Sequence, residues 1–155
     1  MPKRPVIAVI GGRRVDKFLL SQAREAGRLI AERGALLVTG GLGGVMEAAS
    51  EGAQSAGGLT IGVLPQDNKE RANQYVDVPL ATGLGIGRNV IIARTADAAI
   101  AIGGEYGTLS EIAFALQMEK PVIGIRSWDV RGVVPAADAE DAVEKVFGAL
   151  KRIPK

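Results

Sequence analysis

The sequence predicts an α/β protein, a doubly wound three-layer sandwich around a mainly parallel sheet of about six to seven strands. Three observations carry that reading. Apolar runs of strand length alternate with stretches of helical periodicity along the 155 residues. The apolar runs are continuous rather than alternating with polar residues, the pattern of parallel strands covered on both faces. The length suits one domain, and no repeat, low-complexity tract or linker divides residues 1–155.

The elements follow in order. VIAVI (6–10) is the first strand, and Asp16 caps a helix running to about Arg33. Leu19, Leu20, Ala23, Ala26, Leu29 and Ile30 share one side of that helix, and Gly34 stops it. ALLVT (35–39) is a strand, residues 44–56 a helix, and LTIGVL (59–64) a strand. The polar stretch PQDNKERANQ (65–74) is a candidate lid over a site. YVDVP (75–79) is a further short strand, and Arg88 opens a helix to about Thr95. ADAAIAI (96–102) is a strand, 109–118 a helix, PVIGI (121–125) a strand, and GVVPA (132–136) an edge piece. Asp138 caps the last helix, in which Ala142, Val143, Val146, Phe147 and Leu150 recur at helical spacing.

Composition excludes several chemistries. The chain has no cysteine and no histidine, which removes disulfides, thiol nucleophiles, imidazole bases and the usual zinc sites. No metal site is expected, and any metal would be a hard ion on oxygen ligands. Net charge is +2 with no run of like charges, so nucleic acid is not an expected partner, whereas a small anion is compatible. The apolar run after the basic start is too short for a signal peptide, and no stretch approaches the ~18 apolar residues of a membrane span. A cytoplasmic protein without membrane contact is expected.

The glycines mark the candidate site. Three strands end in them: Gly11 and Gly12; Gly40, Gly41, Gly43 and Gly44 after Thr39; and Gly103 and Gly104. In a doubly wound fold ligands bind at the carboxyl ends of the strands. Glycine at a strand-to-helix turn admits close approach of the backbone, and the N–H groups of a helix start suit phosphate. Tight packing of short turns explains one such pair equally well, but three on one sheet edge point to a phosphate-like ligand. GGLGG lacks a following Lys-Ser/Thr, so it is not a P-loop, and no acidic residue ends the second strand to hold a ribose diol. Arg13 and Arg14 follow the first strand as loop charges or ligand contacts. Arg88 stands at a helix N-terminus, against the helix dipole, so an anion should offset it. TLSE (108–111) reads as a capping box, with Thr108 and Glu111 exchanging side-chain and backbone hydrogen bonds. A carboxylate has two oxygens, so Glu111 can cap with one and touch a ligand with the other.

Three longer stretches carry a family resemblance: LVTGGLGGVMEAASEGAQSAGGLTIGVLP, YVDVPLATGLGIGRNVIIARTADAAIAIGG and YGTLSEIAFAL. From Val6 to about Ile125 the chain resembles the Rossmann-like family once mislabelled as lysine decarboxylases. Within it, the sequence is most similar to the molybdenum cofactor carrier proteins and their bacterial relatives. The LOG (lonely-guy) branch hydrolyses the N-glycosidic bond of nucleoside 5′-monophosphates. Its hallmark is Pro-Gly-Gly-x-Gly-Thr-x-x-Glu, preceded by an Arg-Lys pair at a helix start. Gly104, Gly107, Thr108, Glu111 and Arg88 match it. Gly103 stands in place of the proline, Glu105 in place of the second glycine, and Asn89 in place of the lysine.

The resemblance implies a single Rossmann-like nucleotide- or phosphate-binding domain, a phosphorylated small-molecule ligand and a homo-oligomer, dimer or tetramer. Two ligands follow from it: molybdenum cofactor held without turnover, or a nucleoside monophosphate. In the hydrolase reading Arg88 and Glu111 are the catalytic pair, Glu111 stabilising the sugar cation and orienting water. In the carrier reading the same residues bind, with Gly11, Gly12, Arg13, Thr39, Gly40, Gly41, Gly43, Gly44, Gly103, Gly104, Gly107 and Thr108 around the ligand. A nucleotide sensor or structural module is a third class. Glu105 and the missing lysine favour the carrier over the hydrolase. The helix 109–118 lacks a polar face, so it is expected to be buried on several sides.

Overall fold

The computed structural model describes residues 3–153; the first two residues of the basic start and the last two of the chain lie outside the described residues. Seven parallel strands form one sheet: β1 (Val6–Gly11), β2 (Leu36–Thr39), β3 (Thr60–Leu64), β4 (Val78–Ala81), β5 (Ala98–Ile102), β6 (Val122–Ile125) and β7 (Val133–Pro135). Their order across the sheet is β4-β3-β2-β1-β5-β6-β7. Five helices connect them: α1 (Lys17–Glu32), α2 (Val45–Ser55), α3 (Arg88–Thr95), α4 (Tyr106–Gln117) and α5 (Ala139–Arg152). The architecture is the predicted Rossmann-like α/β sandwich.

Both sheet faces are covered, as the continuous apolar strands require. Along β1, Ile7 and Val9 pack beneath α1, α2 and α5, while Ala8 and Ile10 face α3 and α4. Side chains alternate across a strand, so each strand supplies both cores. On the first face α1 presents Ala23, Ala26 and Ile30, and α5 presents Ala142, Val143 and Val146. On the second, Ile92 and Ala93 of α3 meet Ile112 and Ala115 of α4. Asp16 caps α1 by accepting from the Leu19 N–H at 2.8 Å, and Asp138 caps α5 through the Asp141 N–H at 2.9 Å.

Two elements differ from expectation. β4 begins at Val78, because Tyr75 and Asp77 are used as a latch on β3. Thr60 Oγ1 donates to the Tyr75 carbonyl at 2.6 Å, and Asp77 Oδ2 accepts from the Thr60 N–H at 3.0 Å. The helix expected over 109–118 begins at Tyr106, with Glu105 at its N-cap position. Thr108 is therefore inside the first turn, and neither Thr108 nor Glu111 forms the expected capping box. Gly104, at φ +108°, makes the early start possible: a Cβ there would stand 2.4 Å from Thr108 Cβ and Oγ1. The same helix is covered on fewer sides than its composition suggests. Ile112 and Ala115 are buried, Phe114, Leu116 and Met118 are half-buried, and Ala113 is exposed.

The strand order reverses between β1 and β5. Register pairs Gly11 with Ile102, so the turns leaving these two strands start side by side. A crevice opens where two neighbouring strands send their connections to opposite faces.

Candidate functional site

A cavity of about 460 Å³ lies at that crevice. The β1 turn contributes Gly11, Gly12, Arg13 and Arg14, and the α4 side contributes Glu105, Gly107, Thr108 and Glu111. Arg88 and Asn89 enter from the start of α3, and Met46, Pro65 and Ile86 complete the wall. The volume falls in the range of small-molecule sites, roughly 300–1,000 Å³.

Arg88 is held from three directions. Its Nε donates to the Val63 carbonyl at 2.9 Å, Nη2 reaches the Gly40 carbonyl at 3.5 Å, and Nη1 donates to Asn89 Oδ1. Carbonyls at the ends of β2 and β3 thus offset part of the charge that sits against the helix dipole. Burial holds its pKa below the ordinary arginine value, Glu111 pulls it back up, and Arg13 lowers it further. A guanidinium has five N–H donors, and these contacts engage three of them.

Glu111 lies low in the same cavity. Burial pushes its carboxyl up to about 8, against the opposing pull of Arg88. Among the described residues its carboxyl accepts no hydrogen bond and forms no ion pair. Burial thus favours the neutral acid at Glu111 near pH 7. A neutral acid can donate to a ligand oxygen, which a carboxylate cannot.

Asn89 is buried and ties the arginine to α4. Its Nδ2 donates to Ser110 Oγ at 3.1 Å, and Ser110 Oγ donates to the Gly107 carbonyl at 2.6 Å. At this position, where the hydrolase pattern has a lysine, the chain places a neutral scaffold amide.

The glycine turns divide into two roles. Gly11, Gly12, Arg13, Arg88, Gly107, Thr108 and Glu111 line the cavity. Thr39, Gly40, Gly41, Gly43, Gly44, Gly103 and Gly104 stand behind it. Gly44 has φ +67°, and a Cβ there would lie 2.4 Å from the Arg13 carbonyl oxygen. The Val45 N–H donates to the Gly12 carbonyl at 3.1 Å, so the β2 turn is packed against the β1 turn. Thr39 Oγ1 accepts from the Gly41 N–H at 3.0 Å and is fully buried. The 65–74 loop is anchored rather than free: Asn73 donates from its backbone to Gly41 O and from Nδ2 to Leu42 O, both at 2.9 Å. Of that loop, Pro65 reaches the cavity.

The structure adds Arg14, Met46, Pro65, Ile86, Asn89 and Glu105 to the wall. Three carried a signal in the sequence, Arg14 as a charge in the turn after the first strand. Asn89 shares a helix face with Ile92 and Ala93 and is the polar member of a core-facing set. Glu105 interrupts a glycine-rich turn with a charge that the turn itself does not require. Pro65 opens the loop expected as a lid, whereas Met46 and Ile86 carry no chemistry of their own and enter through tertiary packing alone.

Fold and site together define a Rossmann-like protein with a charged crevice of small-molecule size at the topological switch point. The chain belongs to the SLOG cluster4 family, whose model matches residues 4–150. It is similar to the molybdenum cofactor binding protein of Rippkaea orientalis, at 38% identity and a TM-score of 0.90, covering 96% of this chain and 98% of that one. The Moco carrier protein of Chlamydomonas rheinhardtii is 36% identical with a TM-score of 0.87, covering 97% and 100%. A cytokinin riboside 5′-monophosphate phosphoribohydrolase of Mycobacterium tuberculosis is 34% identical over 120 residues, 71% of this chain and 64% of that protein. The chain is thus LOG-like in superfamily and close to the carriers in structure. No helix among the described residues is long and apolar enough to cross a membrane.

Proposed function

We propose that this protein binds a phosphorylated small molecule of nucleotide or pterin type in the switch-point cavity, and holds it as a carrier does. The observation that carries the reading is the set of three cavity arginines. Arg13, Arg14 and Arg88 line one cavity, and none forms an ion pair among the described residues. Cationic groups gathered without anionic partners suit a ligand phosphate. The two carrier-type neighbours, matched over nearly the full chain, support pterin chemistry.

Molybdenum cofactor is compatible with the donor set only in one way. The chain has no cysteine or histidine, and no cluster of metal-ligating residues occurs among the described residues. The arginines and the Gly107–Thr108 start of α4 would therefore hold its phosphate, and the metal would be carried without a protein ligand. The half-open apolar side of α4, with exposed Leu84 and Ile86 nearby in sequence to α3, supports a homo-oligomer, dimer or tetramer. Light scattering on the purified chain tests that assembly, and a monomer would remove it.

Thermal melting against nucleoside monophosphates and a phosphorylated pterin tests the binding. A ligand at about 100 times its Kd adds about 2.7 kcal/mol. At roughly 2–4 °C per kcal/mol that is a shift of several degrees. Arg88→Ala should abolish it, and a flat response to every phosphate ligand would overturn the proposal.

Hydrolysis is the second reading, favoured by Arg88 and Glu111 facing one cavity. Incubation with AMP should release little or no adenine under the carrier reading. Sustained release that is lost in Arg88→Ala would replace carriage with LOG-like hydrolysis.

A further inference from the structure

Glu105 is one of the charged groups of the cavity. Its backbone is fixed and its carboxylate is unengaged. The Glu105 carbonyl accepts twice, from the Leu109 N–H at 3.0 Å and from Trp128 Nε1 at 3.1 Å. The Trp128 ring is itself stacked on Tyr106, with centroids 6.2 Å apart and planes inclined by 26°. The residue is thus clamped between the first turn of α4 and the loop after β6. Glu105 is an exposed residue of the cavity wall, and its side chain forms no ion pair and no hydrogen bond among the described residues. The fold does not need this charge: Asp16 and Asp138 cap their helices through side-chain oxygens, whereas the Glu105 side chain makes no cap bond.

A carboxylate beside a phosphate site repels phosphate, so Glu105 serves a different part of the ligand. Two carboxylate oxygens accept two parallel N–H bonds, the geometry matched by a ring N–H next to an exocyclic amino group. A 2-amino-4-oxopyrimidine ring presents that edge. Guanine and pterin share it, hypoxanthine lacks the amino group, and adenine presents a ring acceptor in place of the ring N–H. At the other cavity carboxyl, Glu111, burial favours the neutral acid, which suits a two-donor edge less well than a carboxylate does.

We propose that Glu105 is the specificity-determining residue of the cavity, its carboxylate accepting the ring N–H and 2-amino group of a 2-amino-4-oxopyrimidine ligand while the arginines hold its phosphate. This rests on the phosphorylated-ligand reading above and names the ring class within it.

Isothermal titration with GMP, IMP, AMP and 7,8-dihydroneopterin phosphate tests it. The parent protein should bind GMP and the pterin phosphate more tightly than AMP by roughly ten- to a hundredfold, the discrimination of one bidentate contact, with IMP between them. In Glu105→Gln the GMP-to-AMP ratio should collapse toward one, because an amide offers one acceptor and one donor to an edge with two donors. The comparison among ligands on the parent protein needs no variant, so a poorly folding substitution does not blunt the test. Equal affinity for GMP, IMP and AMP would overturn the assignment while leaving phosphate binding intact. So would an unchanged ratio in Glu105→Gln. Failure of all four probes to bind would overturn the phosphorylated-ligand reading, and this inference with it.

Discussion

Glu111→Gln should make the stability of the ligand-free protein much less dependent on pH between about 4.5 and 8. Burial raises the Glu111 carboxyl from its ordinary 4.5 to about 8. Within that window the folded chain keeps a proton that the unfolded chain has released. Stability therefore falls as pH rises, by about 1.36 kcal/mol per pH unit for this one group. The contribution is fully present below the unfolded value and is lost as pH climbs through the folded one. The accumulated loss is about 3 kcal/mol at pH 7 and on the order of 4–5 kcal/mol above pH 8. Glutamine keeps the shape without the charge. It also removes no cap, since the Glu111 carboxyl makes no hydrogen bond among the described residues. Urea denaturation of both proteins at pH 5, 7 and 8.5 measures the difference, with the other titrating groups common to both. The variant should be within about 1 kcal/mol of the parent at pH 5 and clearly more stable at pH 8.5. Parallel stability curves would show that Glu111 titrates normally and that the cavity floor is wetter than its packing indicates.

Three further outcomes follow from the scaffold around the site. Asn89→Ala leaves Arg88 Nη1 and Ser110 without their shared partner, and should cost about 1–3 kcal/mol in urea denaturation while weakening the ligand-induced melting shift. Gly44→Ala places a Cβ 2.4 Å from the Arg13 carbonyl at φ +67°, so it should cost at least roughly 1–3 kcal/mol and disturb binding by parting the two turns. Asp16→Ala removes the cap on the Leu19 N–H and should cost about 1 kcal/mol by the same assay, with ligand binding retained.

The sheet was legible because parallel strands buried on both faces have a simple signature. VIAVI, ADAAIAI and PVIGI carry no polar alternation, and they lie together as β1, β5 and β6 in the middle of the sheet or next to it. β4 was less legible because it lies at an edge. There the β-prone Tyr75 and Val76 are overruled by the bonds of Thr60 to Tyr75 and Asp77. The start of α4 was misplaced for a related reason. TLSE is a sound local cap, but Gly103 and Gly104 at positive φ turn the chain into the helix earlier, and Thr108 packs over Gly104 instead. For the glycine turns, the sequence marked the sheet edge at which the cavity opens but did not separate wall from backing. Gly44 and Gly12 look alike as letters. Which one faces the cavity is decided by the packing of the β2 turn on the β1 turn, a contact between segments about thirty residues apart.

The titration of Glu111 also separates the two readings of the site, because they need opposite forms of the same carboxyl. A bound phosphate close to Glu111 raises its proton affinity further, so holding an anion favours the neutral acid. Anion affinity should then weaken as pH rises through about 8, where Glu111 begins to carry the extra negative charge. Hydrolysis with Glu111 orienting water and stabilising a sugar cation requires the carboxylate, so its rate should climb through the same range. Arg88 does not reverse either slope. Its pKa is lowered by burial, yet Glu111 pulls it back up, it is held by the Val63 carbonyl, and it has N–H donors left for a ligand oxygen in both readings. The two profiles are measurable on one preparation, as AMP affinity and adenine release from pH 6 to 9. Affinity that falls above pH 8 with no base released at any pH is the expected result. A release rate rising through pH 8 would assign this carboxyl to catalysis.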